Sequence, residues 1–244
     1  MIAGFEELNP EIIQSIRDIK STDICGILEG CDLIYDALDC NEKNILFYAI
    51  EFQNIDAIKF LIEKLKLDHK DNKGNTALHI AVSLGNLEII KLLLAKEIDP
   101  NLKNKEGDTA IFNVLFSSNK DNSLEIIKVL KQHGANVDEE NNKGLSPILI
   151  AISNIDRKIA SYLAKLGAKT DFLNEESLEK ILSDIISSSM AKEESKQKML
   201  ELISEIKSQQ KQSKILSPSL IETPSTTISV EEFKSISRES SQEL

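Results

Sequence analysis

Between residues 39 and 173 the apolar positions fall into short stripes at helical spacing, broken by polar clusters that keep a common phase. Leu78, Ala81 and Val82 line one face of a short helix, and Ile89, Ile90, Leu92, Leu93 and Leu94 supply a second, more apolar one. Gly85 breaks the chain between them. The cluster Asp71-Asn72-Lys73-Gly74 precedes the first stripe as a tight turn, in which glycine adopts a positive φ without steric cost. Thr76 then stands at the N-cap, its hydroxyl offered to an amide of the first turn.

This unit recurs along the chain. Gly74, Gly107 and Gly144 share one column, Thr76, Thr109 and Ser146 a second, and Leu78, Ile111 and Ile148 a third; 33 residues separate the first two glycines. An earlier copy places Leu46 in the leucine column and Ala49 beside Ala81 and Ala151, but has Glu42 in place of the glycine and Asn44 in place of the threonine. Three good copies and one degenerate one result. Gly134-Ala135 and Gly167-Ala168 close the second helix of the later copies as left-handed C-caps, where copy two has Glu97-Ile98. Such a helix pair buries one side of itself, so the next pair must cover its apolar stripe and stacking becomes the source of stability.

The run Asp71-Asn72-Lys73-Gly74-Asn75-Thr76-Ala77-Leu78-His79-Ile80-Ala81, followed by Gly85-Asn86-Leu87, resembles the ankyrin repeat. The resemblance implies an all-α solenoid of stacked helix pairs that binds a protein partner through its turn tips and first-helix faces, along a concave groove. Its contact positions map onto Asn72, Lys73, Asn75, Ser83 and Leu84 in copy two, and onto Lys105, Glu106, Asp108, Phe116 and Ser117 in copy three. In copy four they are Asn142, Lys143, Leu145, Ser153 and Asn154, and the degenerate copy adds Asn41, Lys43, Glu51 and Phe52. Phe52, Leu84, Phe116 and Leu145 are either exposed apolar anchors or packing against the adjacent copy. His79 is in the histidine column, where the resemblance implies a hydrogen bond to the adjacent turn; its sister positions are Phe47, Phe112 and Leu149, so a metal or catalytic role does not fit. His69 and His133 read as surface residues.

The expected organisation is an N-terminal helical cap over 1–38, repeats over 39–70, 71–103, 104–140 and 141–173, a C-terminal cap over 174–207 and a disordered serine-rich tail over 208–244. Asn9-Pro10-Glu11 starts a helix with the stripe Ile12, Ile13, Ile16 and Ile19, and Leu33, Ile34, Ala37 and Leu38 suggest another. Copy three carries four extra residues around Ser117–Ser123, a surface insertion. Beyond Asp171 come two more stripes, Leu178, Ile181, Leu182, Ile185 and Ile186, then Met199, Leu202, Ile203 and Ile206. A continuous coiled coil would need apolar residues where Ser189, Lys192 and Lys196 stand, which favours a divergent fifth helix pair over a long arm. The ten serines and three threonines after Lys207 leave too few apolar groups there to repay ordering.

Composition narrows the function. The net charge of −11 repels nucleic acid and acidic membranes, and the turn lysines are offset by neighbouring acids, so no nucleic-acid partner is expected. No apolar run approaches the roughly 20 residues a bilayer demands, and the amino terminus lacks the pattern of a cleavable signal. Cys25, Cys31 and Cys40 make no Cys-x-x-Cys pair and read as reduced, partly buried thiols. No phosphate loop, His-Glu-x-x-His pair or Gly-x-Ser-x-Gly elbow is present. No catalytic residue, cofactor or metal is expected, and the chain reads as a monomeric cytoplasmic protein. Abundant Ile, Lys, Asn and Ser without Trp resembles the products of AT-rich genomes, including intracellular bacteria, which adds a second reading. In it the chain is a secreted effector that acts on host proteins.

Overall fold

The computed structural model describes residues 10–18, 37–117, 122–170 and 189–216. The chain divides into two units, 1–207 and 208–244, the first of which holds the repeats. Helix α1 spans Pro10–Asp18. The repeats supply four helix pairs: α2 (Ile45–Glu51) with α3 (Ile55–Leu61), α4 (Ala77–Leu84) with α5 (Leu87–Leu94), α6 (Ala110–Phe116) with α7 (Ser123–Gln132), and α8 (Pro147–Ser153) with α9 (Arg157–Lys165). Helix α10 runs from Ser189 to Leu216. The described residues contain no strand, only an isolated bridge between Lys70 and Thr76.

First helices pack on first helices and second on second, α2 on α4 on α6 on α8 and α3 on α5 on α7 on α9, while each pair also closes on itself. The deepest layers follow directly from the apolar columns. Leu46, Leu78, Ile111 and Ile148 are at most 1% exposed, and Leu61, Leu93, Leu130 and Leu163 are fully buried. At roughly 1.5–3 kcal/mol per buried Leu or Ile side chain, these repeated layers outweigh the poor intrinsic stability of helices seven to ten residues long.

The second helices begin on a column that reading the first-helix caps did not reveal. Asn54 Oδ1 accepts from the Ala57 amide at 3.0 Å, Asn86 Oδ1 from Glu88 and Ile89 at 3.1 and 3.2 Å, and Asp156 Oδ1 from Ile159 at 3.2 Å. By contrast the expected hydroxyl caps at Thr109 and Ser146 make no capping hydrogen bond. The degenerate copy does better there, because Asn44 Oδ1 accepts from the Leu46 amide at 3.1 Å.

Backbone geometry explains how the degenerate copy still folds. Glu42 takes φ 59° where Gly74, Gly107 and Gly144 take 79°, 79° and 70°. Gln53 and Ile155 are at 56° and 55° in the column of Gly85, and Glu97 is at 58° in the column of Gly134 and Gly167. The stacked neighbours impose the left-handed turn whatever residue occupies it, and Ile155, being β-branched, is the most strained occupant.

Both ends depart from expectation. Ile16 is buried and Ile13 packs on the core, with α1 against α2 and the Asn54 amide nitrogen donating to the Ile16 carbonyl at 3.0 Å. Ala37 and Leu38 are not helical, and Ile19, Leu33, Ile34, Cys25 and Cys31 lie outside the described residues. Cys40 is a free, exposed thiol rather than a partly buried one. The stripe Met199, Leu202, Ile203 and Ile206 is buried in the same core as the repeats, and Arg157 pairs with Glu205 at 2.8 Å. Its expected partner stripe at 178–186 falls outside the described residues, as does the insertion at 118–121. The tail read as disordered from Ser208 is helical to Leu216, because Gln209, Gln210, Lys211, Gln212 and Lys214 are strong helix formers and nothing breaks the helix before Pro218.

Candidate functional site

The turn tips are built on one repeated side chain. Asp39, Asp71, Asn104 and Asn141 each turn a carboxylate or amide oxygen back onto two amides of their own loop. Asp71 Oδ1 accepts from Lys73 and Asn75 at 2.9 and 2.8 Å, and Asn104 Oδ1 from Glu106 and Asp108 at 3.0 and 2.9 Å. Each tip then hydrogen-bonds to the next: Asn72 N to Asn41 O at 2.7 Å, Lys105 N to Lys73 O at 3.0 Å, and Asn142 N to Glu106 O at 3.0 Å. Side chains add further rungs, Asn104 Nδ2 to Asn75 Oδ1 at 3.0 Å and Asn141 Nδ2 to Asp108 Oδ1 at 2.9 Å. This packing is why two of the glycines are confined. A Cβ at Gly74 would sit 2.7 Å from the Lys105 nitrogen, and one at Gly107 would sit 2.6 Å from the Asn142 backbone nitrogen.

Where the tips of copies two and three meet the ends of α4 and α6, an open cleft of about 380 Å³ forms. It is lined by Lys73, Asn75, Ser83, Asn104, Glu106, Asp108, Asn113, Phe116 and Ser117. Seven of these were expected contact positions from two successive copies, which the stacking brings onto one surface. Asn104 and Asn113 were not foreseen. Asn104 hid in the turn chemistry, whereas Asn113 carried a signal, standing in a column that holds Tyr48, Ile80 and Ile150 in the other copies. Its amide nitrogen donates to Ser83 Oγ at 2.8 Å and to the His79 carbonyl at 3.1 Å, tying α6 to α4 along the cleft floor.

The structure separates the two readings of the apolar positions. Phe52, Leu84 and Leu145 are half-buried and packed on the core, and the Arg17 guanidinium lies 5.7 Å from the centre of the Phe52 ring. Phe116 alone of the four is exposed, at 60%. The remaining expected positions lie outside the cleft. Asn41, Lys105, Asn142, Lys143 and Asn154 are exposed, while Asn72, Glu51 and Ser153 are half-buried. Several are engaged: Asn72 Nδ2 donates to Asn41 Oδ1 at 3.2 Å, Asn142 Nδ2 to the Lys105 carbonyl at 2.8 Å, Ser153 Oγ to the Ile150 carbonyl at 2.8 Å, and Lys43 pairs with Glu51.

One titratable group with a shifted pKa lines the cleft, Asp108, and a second, His79, meets its backbone carbonyl. His79 is buried; its Nδ1 takes the Thr76 amide at 3.1 Å in a capping box, and its Nε2 meets the Asp108 carbonyl at 3.1 Å. Burial pushes its pKa below the ordinary value, against the Asp108 hydrogen bond. The Asp108 carboxyl is held above its usual range by burial and by the neighbouring Glu106, with Asn141 and Lys143 opposing. The other histidines serve the backbone: half-buried His69 is not a plain surface residue, since its Nε2 lies 2.7 Å from the Glu42 carbonyl, and His133 Nδ1 meets the Val129 carbonyl at 2.9 Å. No group of three metal-ligating side chains occurs among the described residues, and no described helix is long and apolar enough to cross a membrane.

Comparison with known proteins follows the same geometry. Residues 12–104 and 98–174 match the family described as ankyrin repeats (3 copies). A Dictyostelium discoideum protein named as a serine/threonine-protein kinase is 30% identical over 106 residues, 42% of this chain and 11% of that protein. A fowlpox virus protein named for its ankyrin repeats is 28% identical over 60% of this chain and 44% of its own length. A similarly named protein of Rickettsia bellii is 25% identical over 56% of this chain and 41% of its own. The chain thus spans less than half the length of each of these relatives.

Proposed function

The chain belongs to the ankyrin-repeat family, and from that premise we propose that it is a non-enzymatic, monomeric binding module that grips a partner protein with the face formed by its turn tips and first helices. Ankyrin repeats are protein-interaction modules. The observation that carries the reading to this face is the cleft, which joins polar side chains of two turn tips to the exposed ring of Phe116. A single aromatic anchor within a polar rim is the anatomy of a protein interface.

The test is affinity capture by the full chain compared with a variant carrying Glu106→Lys and Phe116→Ala, two lining residues exposed to solvent. Leu84 is spared because its side chain belongs to the core. Proteins retained by the wild type should be lost by the variant while its melting temperature stays nearly unchanged. Equal retention by the variant, or loss on removing residues 217–244 instead, would move the binding site to the tail and make the repeats its carrier.

Cytoplasmic residence is part of the proposal, and delivery into a host cell is its extension. Fusion of residues 208–244 to a reporter enzyme, assayed for transfer between cells, separates the two: transfer supports an effector, and its failure leaves a cytosolic scaffold.

A further inference from the structure

Resting on that reading of the face, the chemistry of the cleft narrows what it holds. Glu106 and Asp108 flank Gly107 on one tip, both line the cleft, and neither has an ion-pair partner among the described residues. Elsewhere in the repeats Glu51 pairs with Lys43, Glu63 with Lys96, Glu125 with Lys128 and Glu139 with Lys103, while acids such as Asp56, Glu88 and Glu97 are also without an ion pair among the described residues but do not line this cleft. The exposed Phe116 ring lines the same cleft, and its face attracts a cation. Two lysines oppose a second positive charge, Lys73 on the lining and Lys143 near Asp108. At Asp108 burial has the largest influence and raises the carboxyl above its usual range, and the repulsion from Glu106 outweighs the attraction of Lys143. A net charge of −11 also draws basic partners towards the chain.

We propose that the partner segment docks through a basic side chain, an arginine or lysine, laid over the Phe116 ring with its charge against Glu106 and Asp108. The cavity of about 380 Å³ accommodates such a side chain with its flanking backbone. An arginine fits best, because its planar guanidinium stacks on the ring and forks towards carboxylate oxygen at once. Asn113 and Ser83, also on the lining, are held together by the hydrogen bond from Asn113 Nδ2 to Ser83 Oγ.

The experiment pans a phage-displayed library of random peptides, 12 residues long in order of magnitude of one extended binding segment, against the full chain. Enriched peptides are then synthesised and titrated against wild type, Glu106→Gln/Asp108→Asn, Phe116→Ala and a charge-matched control, Glu88→Gln/Glu201→Gln. Both Asp108→Asn and Phe116→Ala keep the fold's hydrogen bonds, and melting curves verify it. Enriched peptides should share a basic position whose replacement by glutamine weakens binding about ten-fold. The acid-to-amide variant and Phe116→Ala should each lose a similar factor, while the control does not. Peptides without a basic position that still depend on Phe116 overturn the basic anchor and leave the binding face standing. Basic peptides that bind all variants alike, or no enrichment over the acid-to-amide variant, overturn the inference. Peptides indifferent to every cleft substitution overturn the binding face as well.

Discussion

His79 Nε2 lies 3.1 Å from the carbonyl oxygen of Asp108, 29 residues further along the chain and on the next turn tip. One buried ring thereby caps its own helix through Nδ1 and fixes the tip that presents Glu106 and Asp108 to the cleft. Both bonds are satisfied by the neutral ring that carries its proton on Nε2, since a second proton on Nδ1 would displace the Thr76 amide.

Acid should therefore weaken the fold through this residue. Burial lowers the folded pKa of His79 below the ordinary 6.5, so the unfolded chain takes up the proton first as pH falls. The His79 contribution is fully present above about pH 6.5 and is lost progressively below it. Urea titrations of wild type and His79→Phe between pH 7.5 and 5 should show a decline in the wild type that the variant lacks. At pH 7.5 the variant should be less stable by about 1–3 kcal/mol, because the Thr76 amide and Asp108 carbonyl lose their partner. Parallel pH curves would refute the assignment.

Glycines in one column should not be equal. Gly107→Ala places a Cβ against Asn142 at a left-handed φ, whereas Gly144→Ala meets nothing within 4 Å and bears only the cost of its φ. Alanine at 107 should lower the urea midpoint clearly more than alanine at 144. Equal losses would mean that the neighbouring tip yields freely.

Relief of strain runs the other way at Ile155, at φ 55° and 40% exposed. Ile155→Asn should raise stability by about 1 kcal/mol, since asparagine tolerates this region far better than a β-branched residue. A lower melting temperature would show that the partly covered Ile155 side chain contributes more than its backbone costs.

Layer residues test whether α10 belongs to the stack. Leu93→Ala should cost about 2–5 kcal/mol, as a fully buried leucine between layers. Ile206→Ala should cost a similar amount and unfold with the repeats in one transition, because Ile206 is equally buried in the same core. A separate early transition in Ile206→Ala, with the main one unmoved, would make α10 an independent appendage.

What was legible from the chain alone is whatever repeats. The apolar columns of Leu78, Ile111 and Ile148 predict stacked helix pairs because a helix face can be buried only by a neighbour with the same period. The glycine column predicts the turns because positive φ favours glycine. The resemblance likewise placed seven of the nine cleft residues, since contact positions recur with the repeat. What did not repeat was not legible: Glu42, Gln53 and Ile155 adopt the glycine conformation although nothing in their chemistry asks for it, because stacked neighbours supply the energy to hold them there.

The tertiary structure alone decided which half-apolar positions face water. Leu84, Leu145 and Phe116 were equally open to either reading in sequence, yet two pack inward while Phe116, in the column of exposed Ser83, stays exposed. It also made Asn113 part of the cleft floor and turned Gln209 to Leu216 into the end of a helix, where composition alone suggested a tail. Periodicity is a property of one chain read in order, but exposure and charge pairing depend on residues about 30 positions away, and only packing brings those together.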